Sequence, residues 1–210
     1  MFNQRLTTAK EEIEMMRPMN YIEISILIII IFTGLGCLYF IRLDWKRYGA
    51  LYIISAFSSN VVCYIFTFIG FYSFPDKILH NHFLIPYKLV STLFPFITLF
   101  GIRYSPKQWI WKIPFYWAIV HLGVLGEVIL KSTTVFTFEP EWDLWDSYTL
   151  WWLNYLLFEL LGGKIVPEHL RKPINGEFFR YGKWAWIVFH IIVISTIFLA
   201  GVYVGVTVFK

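Results

Sequence analysis

Apolar runs of about twenty residues recur along this chain, and a run of that length is what a helix needs to cross roughly 30 Å of hydrocarbon. No water is available at that depth to satisfy a free backbone N–H or C=O, so a segment of this kind must close its hydrogen bonds within itself as a helix. Six stretches fit: 21–41, 48–71, 84–102, 113–130, 148–166 and 184–209. Between them lie short polar separators, among them 42–47 (RLDWKR), 74–81 (FPDKILHN) and 103–112. With 58% hydrophobic and 15% charged residues, the chain carries far more apolar surface than a soluble core could hide. The expected fold is all-α, a polytopic transmembrane bundle of about six spans, with residues 20–210 as one helical domain. Spans three and five are interrupted, one by Pro86 and Pro95, the other by Glu159, Gly162 and Gly163.

Lys and Arg are unevenly shared between the two sides. About eleven fall in or beside the loops after spans one, three and five, against about seven opposite. The positive-inside rule therefore puts both termini outside the cell, and the acidic group Glu139, Glu141, Asp143 and Asp146 falls on the same outer side. Residues 1–19 form an extramembrane segment. Thr8 and Glu11 resemble a capping box, which predicts a short amphipathic helix over 9–16, and the charges Lys10, Glu11, Glu12 and Glu14 do not suit a cleaved signal.

Most tryptophans lie near predicted span ends, where an indole sits well among headgroups. The group Trp142, Trp145, Trp151 and Trp152 with Tyr148 and Tyr155 is dense enough to line an apolar ligand pocket as well. Cys37 and Cys63 lie inside spans and read as small hydrophobes, without a disulfide framework. His80 and His82 near Asp76 are too few and too close for a convincing metal set, so no metal or other cofactor is expected. The sequence contains no phosphate-cradling glycine loop, no HExxH and no GxSxG. Its basic residues are spread as orientation signals, which argues against nucleic acid as a partner. Gly201 and Gly205 make a GxxxG that permits close helix approach and leaves oligomeric state open.

The polar groups inside spans are the candidate site residues, because a carboxyl at bilayer depth is costly unless neutralised or partnered. Glu127 precedes Lys131 by four residues in the order that favours a helical ion pair, which gives it a structural role. His121 and Glu159, counted from the predicted outer ends of their spans, come to about 15 and 16 Å of depth. The two are expected to be level and form the candidate acid/base pair. Asn60, Asn154, His190, Trp151 and Trp152 complete a candidate polar and aromatic binding pocket. The competing expectation is that each polar group is satisfied separately at a helix contact.

The order of short loops, the segment 72–75 (YSFP) and the aromatic run through Trp151 and Trp152 to Glu159 resemble an uncharacterised family of small multi-pass membrane proteins of spore-forming Gram-positive bacteria. That resemblance implies a plasma-membrane location and transfers no catalytic residue. A likeness to membrane-embedded isoprenoid cyclases rests on size and on Glu127 or Glu159; the acidic motifs of those enzymes are not matched. Three functions follow as expectations: a non-catalytic membrane protein that binds a lipid, a hydrophobic small molecule or a protein partner; a lipid or isoprenoid enzyme with Glu159 as acid and His121 tuning it; and a proton-coupled transporter.

Overall fold

The computed structural model describes residues 20–74, 84–131, 133, 135–140, 142–175 and 196. The N-terminal helix over 9–16, the His80 and His82 pair, the sixth span with His190, and the Gly201 and Gly205 pair lie outside the described residues. Five α-helices run through the rest: α1 (Tyr21–Leu43), α2 (Trp45–Phe68), α3 (Tyr87–Tyr104), α4 (Trp109–Lys131) and α5 (Leu144–Ile165). They coincide with the first five predicted spans. α1, α2 and α4 are each long and apolar enough to cross a membrane.

Local chemistry sets the helix limits. Asn20 caps α1 by accepting from the Glu23 N–H at 2.8 Å, while the Glu23 carboxylate accepts from the Asn20 N–H at 3.0 Å, a reciprocal capping box. Asp44 ends α1 and also caps α2 through the Arg47 N–H at 3.1 Å, so one residue reverses the chain. Gly70 follows α2 with φ +82°, a conformation that a side chain would disfavour, and turns the chain out of the helix. Asp143 and Asp146 form a second capping box that starts α5 at Leu144, four residues ahead of the predicted start. α4 likewise begins at Trp109 and takes Lys112 into the helix. These two displacements decide the geometry of the site.

Two short strands that the hydropathy pattern does not announce tie the loops after α2 and α4 together. β1 (Tyr72–Ser73) pairs antiparallel with β2 (Thr137–Phe138), Tyr72 opposite Phe138 and Ser73 opposite Thr137. The Ser73 hydroxyl bonds Thr137 Oγ1 at 2.7 Å and donates to Glu139 at 2.9 Å. Tyr72, Phe74, Phe136 and Trp142 close over this patch as an aromatic cluster. Burial there, with the Cys63 and Glu127 groups nearby, pushes the Tyr72 phenol well above its ordinary range.

α3 packs against both α1 and α2, and α5 closes on α3 and α4. Tyr48, Leu51, Leu99, Ile102, Phe158 and Val166 are fully enclosed between these helices. The outward faces are apolar: Phe57 is 72%, Leu122 68% and Phe32 65% exposed. Such surface suits hydrocarbon and would be costly in water. Several polar side chains inside the bundle are bonded locally or in pairs, as with Thr33 to the Ile29 carbonyl and Ser55 to Thr98 at 3.1 Å.

Glycine permits the closest helix approach on α4. A Cβ on Gly123 would stand 2.6 Å from the Trp151 indole, whereas one on Gly126 would meet nothing within 4 Å. Gly123→Ala is expected to lower stability by about 1–3 kcal/mol through overpacking. Gly126→Ala is expected to be neutral or to stabilise by up to about 1 kcal/mol through helix propensity. Thermal unfolding of both variants in nanodiscs, followed by tryptophan fluorescence, checks the contrast.

Candidate functional site at the basic end

Glu159 lies six residues before Ile165, the last residue of α5, about 9 Å of helical rise from the end that carries the basic loops. α4 starts at the same end and runs antiparallel to α5. Its first turns present Lys112 and Tyr116, four residues apart and therefore on one face, to Glu159. The Lys112 ammonium donates to one carboxylate oxygen and the Tyr116 hydroxyl to the other. Arg171, from the segment after α5, adds a contact of its Nη1 with Oε1 at 3.5 Å. Glu159 is 5% exposed, and the Lys112 and Arg171 side chains are nearly as enclosed.

The segment that brings Arg171 in lies across the basic end as a strap. It leaves α5 at Val166, makes a single 3-10 turn over Glu168–Leu170, and returns over the end of α3. The Lys172 and Ile174 N–H groups donate to the Arg103 and Tyr104 carbonyls at 2.8 and 3.0 Å. The Leu170 carbonyl accepts from the Tyr48 hydroxyl at 2.9 Å and from Arg103 Nη1 at 3.0 Å. Arg171 Nε donates to the Val166 carbonyl at 2.9 Å. At its exposed edge Lys107 pairs with Glu168 at 2.5 Å. The hydrogen bond and charge of Lys107 hold the Glu168 carboxyl below the usual carboxylate range.

His121 stands elsewhere. Its ring nitrogen meets the Trp117 carbonyl at 2.9 Å and its ring packs edge-on against Tyr148, with centroids 5.5 Å apart. Tyr148 and Glu159 are eleven residues apart on α5, about 16 Å of rise, so the structure does not bring His121 and Glu159 together. The depth estimate counted α5 from Tyr148, whereas the capping box begins the helix at Leu144. Glu159 consequently lies nearer the basic end than the estimate placed it.

Glu127 does not pair with Lys131. One of its oxygens accepts from the Trp151 indole N–H at 2.9 Å, and the other is buried without a hydrogen-bond partner. Lys131 instead places its ammonium 4.7 Å over the Phe138 ring, on the mini-sheet. Trp151 is buried and stacks on Phe94 with centroids 5.2 Å apart; Trp152 packs at the rim of the same cluster. Asn154 is half-buried on α5 and belongs to neither polar cluster.

Asn60 serves a helix contact, its amide donating to the Ala56 carbonyl at 2.7 Å and to the Ser91 hydroxyl at 2.8 Å. It also lines an apolar groove of about 570 Å³ with Phe57, Val61, Tyr64, Leu84 and Tyr87. This groove lies between α2 and the start of α3, at the end of the bundle opposite Glu159. Lys112, Tyr116 and Arg171 are the site residues that the sequence reading missed. The four-residue spacing of Lys112 and Tyr116 was a signal, but it acquires meaning only once α4 begins at Trp109.

Among the described residues no group of three or more His, Cys, Asp or Glu is placed to hold a metal ion. Comparison with protein-family models, curated proteins and solved structures found no match.

Two measurements check the electrostatics. Glu159→Gln leaves Lys112 and Arg171 buried without their counter-charge and is expected to cost about 3–5 kcal/mol, read as a lower unfolding midpoint in nanodiscs. A Lys112→Met, Glu159→Leu double variant is expected to lose less than Glu159→Gln, because it removes a charge from each side. At the strap edge, the depressed Glu168 carboxyl stabilises the fold above the unfolded value of about 4.3 and loses that contribution as pH falls through its folded value. NMR titration of the labelled side chain is expected to show a midpoint that rises in Lys107→Ala.

Proposed function

We propose that this chain is a multi-pass integral membrane protein that recognises a lipid or a membrane partner without catalysing a reaction. One observation carries the reading: both Glu159 oxygens are taken, by Lys112, Tyr116 and Arg171. A general acid needs a proton to give and room for a substrate beside it. A carboxylate whose two oxygens are bound by a lysine, a tyrosine and an arginine is already engaged, which is the disposition of a structural tie. The same engagement disfavours a proton relay through Glu159, and His121 is too far away to tune it.

The reading extends to topology. α3 and α5, though without the sustained apolar stretch of α1, α2 and α4, are spans, and 184–209 is the sixth. The basic end faces the cytoplasm, both termini face outward, and the membrane is the plasma membrane, in line with the resemblance carried by 72–75 and 151–159. The groove beside Asn60 offers an apolar wall with an amide in it, suited to a hydrophobic chain bearing a hydroxyl or amide group.

Purification in mild detergent followed by mass spectrometry of co-purifying small molecules tests the reading. A lipid retained equally by the wild type and by folded Asn154→Ala, and reduced by Asn60→Leu, is expected. Conversion of a supplied prenyl or acyl lipid that disappears in Glu159→Gln would refute the non-catalytic assignment. A reporter fused to the C-terminus is expected to signal from outside the cell.

A further inference from the structure

Asn60 is held at its nitrogen and free at its oxygen. The amide nitrogen donates one hydrogen to the Ala56 carbonyl at 2.7 Å, on its own helix, and the other to the Ser91 hydroxyl at 2.8 Å, on α3. A carbonyl can only accept, so the contact with Ala56 fixes which end of the amide is nitrogen. The amide oxygen takes no hydrogen bond among the described residues, and it is not sealed inside the protein. Asn60 lines the groove of about 570 Å³ between α2 and the start of α3. The amide is therefore pre-set, and what it offers to a molecule in the groove is an acceptor.

Depth makes an unused acceptor costly. Asn60 lies about 22 Å of helical rise past Trp45 and about 12 Å before Phe68, the two ends of α2. With α2 across the membrane, no water stands at that level, and hydrocarbon has no donor to give. The groove has both room and an entrance. Its volume falls among those of sites that hold small molecules, and its walls open sideways, with Phe57 72%, Tyr64 52% and Leu84 50% exposed. The phosphate, glycerol and ester groups of an ordinary phospholipid stay at headgroup level, about 12 Å away along α2. Esters, ketones and ethers also carry acceptors only, which would meet the Asn60 oxygen like to like.

We propose that this groove holds an apolar alcohol, its hydroxyl donating to Asn60 Oδ1 and its chain lying against Phe57, Val61 and Tyr64. A hydroxyl supplies the donor that the site lacks, and the surrounding low dielectric strengthens the bond. The hydroxyl has to be carried into the hydrocarbon on a chain, at its end or part-way along it, because Asn60 is a full two turns from the end of α2. The protein distinguishes the alcohol from the bulk lipid by that one bond, while the apolar wall adds affinity for any chain. The inference rests on the recognition reading above and gives it a ligand class.

Photolabelling of the full chain in phosphatidylcholine nanodiscs, with a long-chain alcohol that carries a diazirine in its chain, tests it. Peptide mass spectrometry is expected to find the label within 57–65 and 84–87. Hexadecanol is expected to displace the probe at about tenfold lower concentration than hexadecyl methyl ether, which keeps the chain and the oxygen but has no proton to donate. In Asn60→Leu the two competitors are expected to become equal while the groove is still labelled, a result that a merely structural role for Asn60 would not give. Val61→Trp fills the groove from a position already 38% exposed and leaves the Asn60 contacts in place, so it serves if Asn60→Leu fails to fold; labelling there is expected to fall about tenfold. Equal competition by alcohol and ether in the wild type, or labelling unchanged by Val61→Trp, overturns the site. A phospholipid retained in the groove in preference to the alcohol overturns the ligand class and leaves the recognition reading standing. A prenyl or acyl conversion abolished by Glu159→Gln would refute the non-catalytic reading independently of these results.

Discussion

Three elements of the bundle meet at one buried carboxylate. Glu159 draws Lys112 and Tyr116 from α4 and Arg171 from the strap to a single point near the basic end. A lone charge there would cost several kcal/mol, and so would either cation left by itself. Each group is tolerable only with the others in place. The knot thus fixes the register of α4 against α5 and holds the strap over the end of α3, which in turn positions Arg103 against Tyr48 and Leu170. Apolar packing alone would specify that register poorly, because lipid tails compete equally for apolar faces and helix contacts in membranes depend on close fit and polar pairs.

At the opposite end a different device does the corresponding work. The β1 and β2 pair joins the loop after α2 to the loop after α4, and its aromatic cover of Tyr72, Phe136 and Trp142 continues towards Glu127 and Trp151. The bundle is therefore tied at the basic end by charge and at the opposite end by backbone pairing and rings. Among the described residues between the two ends, polar contacts such as Asn60 with Ser91 and Ser55 with Thr98 interrupt the apolar interior.

The five described helices were legible because hydrophobic length is read directly against bilayer thickness. Helix starts were less legible, and the site depended on them. Asp143 and Asp146 looked like an acidic outer loop, yet together they form the capping box that begins α5 at Leu144. Lys112 looked like an orientation charge and is a helical residue facing inward. Each earlier start adds about one turn, roughly 6 Å, to its helix. The rest of the roughly 16 Å between Glu159 and the level of His121 comes from how α4 aligns with α5, which brings Lys112 and Tyr116 to Glu159 instead. The same limit applied to Glu127, whose four-residue spacing to Lys131 allowed an ion pair, while the indole of Trp151 from α5 offered a better-placed donor.

The sequence by itself determined that the chain forms long apolar helices, which of its ends is basic, and that Glu159 needs a partner, since these depend on composition along one segment and on the cost of a charge in hydrocarbon. Only the tertiary structure decided who that partner is. Lys112 and Arg171 are 47 and 12 residues from Glu159 in sequence, and no local pattern encodes their meeting. It follows from how α4 and α5 align and how the chain returns across their end, which many side chains set jointly.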